Sequence, residues 1–220
     1  MKTVQNIYEE YTIMPSLQLH QLRVATVGKM ICESTKVSVD VRDVTLACLF
    51  HDMGNIIKSD LEYFPEFIEP EGLQYWQKVK EGFIAKYGKD QHIANPAIAK
   101  EICLPERVVN LIDGIGYSKL PQIVAGNDVE QKISEYADTR VGPHGVLPLK
   151  DRMLEGKRRF DAKNMRGTTP YYRDSEFERL VDVGRQLEHQ IFTDTKITPE
   201  DITDESTKSM VEELRKFPVA

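Results

Sequence analysis

The chain has 220 residues, 40% of them hydrophobic, enough for one substantial core in a single globular unit. Its net charge of −6, from 29 basic and 35 acidic side chains, gives no overall positive field for a nucleic-acid backbone or an anionic membrane, so polymeric nucleic acid drops down the list of partners, while local basic clusters remain able to hold a small phosphorylated ligand. No run approaches the roughly 18 apolar residues that span a bilayer, the first residues lack the apolar core of a signal peptide, and three scattered cysteines form no C-x-x-C pair; a soluble, cytoplasmic protein with reduced thiols and no membrane partner is expected.

Residues 4–12 predict a short helix that ends before Pro15, because the residue ahead of a proline avoids the α region. Ser16 reads as the N-cap of a longer helix reaching about Glu33, in which Leu17, His20, Val24, Val27 and Ile31 recur at steps of three and four. His20 therefore lies on the apolar stripe, with Arg23 one turn on, near the stripe's edge. Asp40 reads as the cap of the next helix, whose stripe Val41, Val44, Cys48 runs on into His51. Asp52 follows Thr45 and Leu49 on the neighbouring stripe, and Gly54 is expected to stop the helix in the left-handed conformation. An imidazole and a carboxylate side by side after an apolar helix are costly to bury unless something compensates, and a divalent metal does so directly.

Residues 55–71 combine Lys58 with prolines and aromatic rings and read as a loop of the kind that borders a site. An amphipathic helix follows over 72–87, with Trp76 in the core. Asn95-Pro96 reads as the cap and first residue of a helix reaching Cys103, which places His92 just ahead of it. A further helix is predicted over 105–113, and 117–127 reads as a connection with at most one helical turn. Asp128 caps a helix through Ile133, Tyr136, Ala137 and Val141; Asp138 lies at the border of that stripe, where a carboxylate needs a partner, whether Lys132 and Arg140 at the surface or something inside. Residues 149–160 predict a strongly basic helix, 161–171 a loop, and long helices over 174–192 and 198–216 close the chain. With no strand period, no repeat and no low-complexity tract, the fold class is all-α.

His20, the adjacent pair His51-Asp52, and Asp138 thus lie on three helices in a fixed order. This set resembles the HD-domain superfamily of metal-dependent phosphohydrolases, and Asp138-Thr139-Arg140-Val141, Leu149-Lys150-Asp151-Arg152 and Arg159-Phe160 are similar to that family's downstream pattern, so the resemblance runs from His20 to Phe160. It implies an HD-domain-like helical bundle over residues 1–160, with 161–220 a C-terminal helical extension packed on the same unit. It also implies that His20, His51, Asp52 and Asp138 hold one divalent ion, and mixed imidazole and carboxylate ligands do not distinguish zinc, manganese, iron, cobalt, nickel or magnesium. Such an ion acidifies water and polarises a phosphoryl oxygen. Asp52 is similar to the family's aspartate, which would ligate with one oxygen and accept a water proton with the other.

Two departures qualify the resemblance. Many relatives have Lys or Glu where this chain has Asn55, and an amide is no general base. His92 fits the first of the extra histidine positions of two-metal relatives, but Gly114-Ile115-Gly116 offers none at the second. One metal is therefore expected, with His92 catalytic or in contact with substrate. Arg23, Asn55, Lys58 and Arg140 are the candidates for binding the substrate. Two functions stay open: hydrolysis of a phosphate ester of a small molecule, with a nucleotide as the leading candidate, or a metal-bound but catalytically silent module acting as a nucleotide sensor or interaction platform. The long C-terminal helices offer a face for a second copy of the chain.

Overall fold

The computed structural model describes residues 2–165 and 174–219. Among them the regular structure is helical throughout, with three isolated bridges and no strand, as the all-α reading expects. The helices are α1 (Val4–Glu10), α2 (Pro15–Ser34), α3 (Val41–Phe50), α4 (Leu73–Tyr87), α5 (Gln91–Glu101), α6 (Glu106–Gly114), α7 (Leu120–Ala125), α8 (Val129–Arg140), α9 (Leu149–Met165), α10 (Asp174–Phe192) and α11 (Asp204–Arg215). None is long and apolar enough to cross a membrane.

Helix α2 is the centre of the molecule, packed on α3, α8 and α11. Its approach to two of these neighbours depends on Gly28, where a Cβ would lie 3.0 Å from Cys48 Sγ on α3 and 3.7 Å from the Ala137 Cβ on α8. Small residues at this crossing let three backbones come together about two turns along α2 from His20. One hydrophobic core extends from Val4 to Val219 and includes Leu187, Ile191 and Leu214 of the C-terminal helices. Backbone bonds from Val4 N–H to Phe217 O (3.1 Å) and from Val219 N–H to Lys2 O (3.0 Å) join the two ends of the described chain.

Several boundaries differ from the sequence reading. Ser16 is not a cap: Met14 holds that position and Pro15 is the first helical residue, where its missing N–H is no loss. Asp40 caps α3 as expected, accepting the Asp43 N–H at 2.9 Å. That helix ends at Phe50, and a turn and a short 3-10 segment (Asn55–Ile57) follow. Gly54 has φ −94°, so left-handed backbone is not the reason for a glycine there. Close approach is: a Cβ would sit 2.7 Å from Ala94 Cβ, and its N–H donates to Asn95 Oδ1 at 2.7 Å. Asn95, used in this way, does not cap α5. Asp90 does, accepting the His92 N–H at 2.8 Å, so Pro96 lies inside the helix and His92 in its first turn. Residues 117–125 hold a 3-10 turn and α7 instead of a single turn. Helix α9 continues to Met165, into the stretch expected to be loop, and 166–171 fall outside the described residues. The last predicted helix divides into a 3-10 turn (Pro199–Asp201) and α11, which Thr203 caps.

The contact at Gly54 gives a direct test. Gly54→Ala forces a methyl group against a β-carbon that cannot move without its helix, so it should destabilise the protein by about 1–3 kcal/mol and lower Tm by several degrees in thermal unfolding. A variant melting with the wild type would show that the 50–58 turn yields instead.

Candidate metal centre

The α2–α3–α8 crossing sets the spacing of the ligand-type side chains. His20 comes from α2, His51 from the C-terminal end of α3, Asp52 from the next residue, and Asp138 from the last turn of α8. His20, His51 and Asp52 each offer a donor atom within 4.8 Å of the others. Asp138 Oδ1 lies 3.2 Å from His20 Nε2 and 3.3 Å from His51 Nε2, and Asp52 Oδ2 is 4.0 and 3.8 Å from the same nitrogens. Donor atoms about 2.0–2.2 Å from one ion stand about 3–3.6 Å apart at ordinary coordination angles, so these separations suit a single cation with slight contraction around it.

The tautomer of His51 supports the same use. Its ring is 3% exposed, and Nδ1 donates to Cys48 O at 2.8 Å, which leaves the Nε2 lone pair directed at the carboxylates. That Nε2 is buried without a hydrogen-bond partner. Burial alone would lower the imidazole pKa, but the charges of Asp52 and Asp138 outweigh it and push it up to about 9. In the metal-free protein a proton thus serves as the cluster's cation. Burial is the largest influence on both carboxyls and raises them, but His51 together with Lys58 and His20 at Asp52, and His51 together with His20 at Asp138, outweigh it; both end below the usual carboxylate range, Asp138 well below.

Asp52 is held from two sides. Its backbone N–H donates to Gln21 Oε1 (3.2 Å), and Asn55 Nδ2 donates to its Oδ2. Ser59 Oγ donates to Asn55 Oδ1 at 3.2 Å, orienting that amide. Asn55 therefore positions the aspartate, and Asp52 Oδ1 has no hydrogen-bond donor among the described residues.

The cluster forms one end of a cavity of about 580 Å³. Asn55, Lys58 and His92 line it, with His92 Cε1 against Gly116 on the far wall. Arg23 and Arg140 are not among its lining residues, which corrects their assignment as phosphate ligands. Arg23 Nε faces Asp204 Oδ1 at 3.7 Å. Arg140 is 2% exposed, and its guanidinium donates to Leu147 O, Tyr136 Oη, Pro199 O and Ile202 O at 2.6–3.1 Å. Among the described residues, the Lys and Arg side chains on the cavity wall beyond Lys58 are Arg152, Lys157 and Arg159 of the basic helix α9, and they face Glu155 or Asp161.

One residue beside the cluster was not anticipated. Glu135, one turn before Asp138 on α8, is 1% exposed and accepts the Gly116 N–H at 2.6 Å. Burial pushes its pKa up to about 7, against the lowering effect of that N–H. A carboxylate beside the apolar stripe of Ile133, Tyr136 and Ala137 reads as its solvated border; the available signal is its place on the Asp138 side of the helix, three residues earlier.

Residues 18–117 match the family model for the HD domain, a segment that contains His20, His51 and Asp52 and ends before Asp138. No curated protein and no solved structure matches the chain.

Glu135 makes the metal-free protein pH-sensitive in a definite direction. Its folded pKa of about 7 lies above the ordinary 4.5, so the folded state binds the extra proton between these values and stability falls as pH rises through that window. Glu135→Gln lacks this loss. In chelator-treated protein the variant should gain on wild type across the window by on the order of 3 kcal/mol, read from denaturant unfolding at several pH values, and parallel curves would refute it.

Proposed function

We propose that the chain, whose residues 18–117 match the HD-domain model, is a metal-dependent phosphohydrolase cleaving a phosphate ester of a small molecule, with a nucleotide as the leading candidate. The observation that carries this reading is the convergence of His20, His51, Asp52 and Asp138, with the buried His51 Nε2 facing both carboxylates, at the end of an open cavity. His20, His51, Asp52 and Asp138 would hold one divalent ion. When bound, that ion supplies Lewis acidity toward a phosphoryl oxygen and acidity to water.

The chain's own groups account for the remaining steps. Lys58, exposed on the cavity wall near Asp52, attracts the phosphate and balances its charge. Asp52 presents Oδ2 to the histidines under the hold of Asn55, which leaves Oδ1 to take a proton from the attacking water. As the water oxygen bonds to phosphorus and the ester oxygen departs, that leaving oxygen needs a proton. His92, on the same cavity, is the group that gives it. Position 55 favours the silent-module alternative to the extent that an amide cannot act as a base; its contact with Asp52 gives it a positioning role compatible with turnover.

Metal content and rate, measured together, test the assignment. Wild type should carry about one ion per chain after reconstitution, and His51→Ala or Asp138→Ala should lose it. Asp52→Asn should abolish hydrolysis and weaken metal binding together. His92→Gln should keep the metal while turnover falls by about 10²-fold or more; Asn55→Ala should cost less than about tenfold because it removes only a positioning bond. Wild type without metal after reconstitution, or an Asp52→Asn protein at full rate, refutes the reading. A metal-loaded wild type inactive on nucleoside mono- and polyphosphates supports the silent module.

A further inference from the structure

Two polar atoms in the cavity wall have no use in the scheme above. Tyr117 Oη and Gln91 Oε1 are buried with no hydrogen-bond partner, and both residues line the cavity. Gln91 is 8% exposed and immediately precedes His92, while Tyr117 immediately follows Gly116, the residue that faces His92. Leaving such atoms unpaired is unfavourable, because each has given up its hydrogen bonds to water without a replacement. That cost is offset only when something else supplies the missing partner.

The chemistry each atom lacks is definite. An amide oxygen needs an N–H or O–H donor. The Tyr117 hydroxyl, with burial pushing its pKa up to about 12, keeps its proton and offers a donor. Arg152 lies 5.9 Å over the Tyr117 ring and its Nε is committed to Val141 O (2.6 Å). Further round the cavity the walls turn aromatic. Tyr63 and Phe64 meet edge to face at 4.7 Å, Phe64 and Phe67 lie 4.9 Å apart, and Phe177 comes from α10; all are half-buried and line the space. A volume of about 580 Å³ bounded by rings and two unpaired polar atoms fits a flat group with hydrogen-bonding edges.

We propose that Tyr117 and Gln91 are specificity-determining residues that contact the alcohol side of the substrate, and that this side carries a flat ring with hydrogen-bonding groups on its edge. The proposal rests on the phosphohydrolase reading for the placement of the phosphate at the ligand cluster, and it assigns the remainder of the cavity.

Binding to the metal-loaded protein tests it without requiring turnover. Calorimetric titration compares adenosine monophosphate with inorganic phosphate, which share the phosphate and differ in the ring. Wild type should prefer the nucleotide by at least about tenfold. Tyr117→Phe and Gln91→Met should each reduce that preference by about five- to tenfold, one hydrogen bond's worth, with affinity for inorganic phosphate within twofold of wild type. The ligand-free Tyr117→Phe protein should melt no lower than wild type, since it loses an atom that makes no bond; a purely structural hydroxyl would lower the melting temperature. Equal affinity of wild type for the two ligands, unchanged nucleotide affinity in both variants, or an equal loss for nucleotide and phosphate overturns the proposal. The predicted binding pattern without any hydrolysis supports it while overturning the enzyme reading.

Discussion

The molecule is built around an electrostatic demand. Two carboxylates and two imidazoles from three helices converge, with Asp138 Oδ1 within 3.3 Å of both histidine Nε2 atoms, in a largely buried place that water reaches only from the cavity side. Such a cluster is unfavourable without a positive charge at its centre. The charges of Asp52 and Asp138 raise the proton affinity of His51 despite its burial, the direction expected of surroundings that favour a cation. The packing that creates this demand is elementary: Gly28 on α2 against Cys48 and Ala137 brings the three backbones close enough for their side chains to meet.

Around that cluster, positive groups divide by whether a backbone carbonyl is within reach. Arg140, two residues after Asp138, donates to three carbonyl oxygens and one phenol, and so ties α8 to the 145–147 turn and the 199–202 segment. Arg152 uses its Nε in the same manner on Val141. A rigid guanidinium fork suits such multiple acceptance, whereas the flexible ammonium of Lys58 is left facing the cavity. Arg140 is thus wholly structural and Lys58 faces the cavity, while Arg152 holds Val141 O and also lines the cavity.

Much of this was legible in the amino-acid order because helical periodicity reports which face is buried. His20 falls in step with Val24 and Val27, and His51 with Val44 and Cys48, so their placement on inward faces follows from the spacing alone. Residue roles that depend on a partner far along the chain were not legible. Arg140 resembles a surface cation until Pro199 O and Ile202 O are brought to it, and Glu135 resembles a solvated acid until Gly116 N–H covers it. Competing local signals explain the boundary errors. Asp90 and Asn95 both suit an N-cap; only the docking of Gly54 on Asn95 shows which of them is free to act as one.

The grip of Arg140 on Pro199 and Ile202 also bears on how the protein comes into being. Helices α2, α3 and α8 can meet once residue 147 has been synthesised, but Arg140 then has only Tyr136 and the 147 carbonyl to bond, and the α2 face that α11 covers is bare. On a ribosome the ligand cluster would be brought together early and locked late, when the last twenty or so residues emerge. The four ligand-type side chains would thus be assembled before the arginine beneath them has found its final acceptors, so the site's geometry precedes its last structural lock.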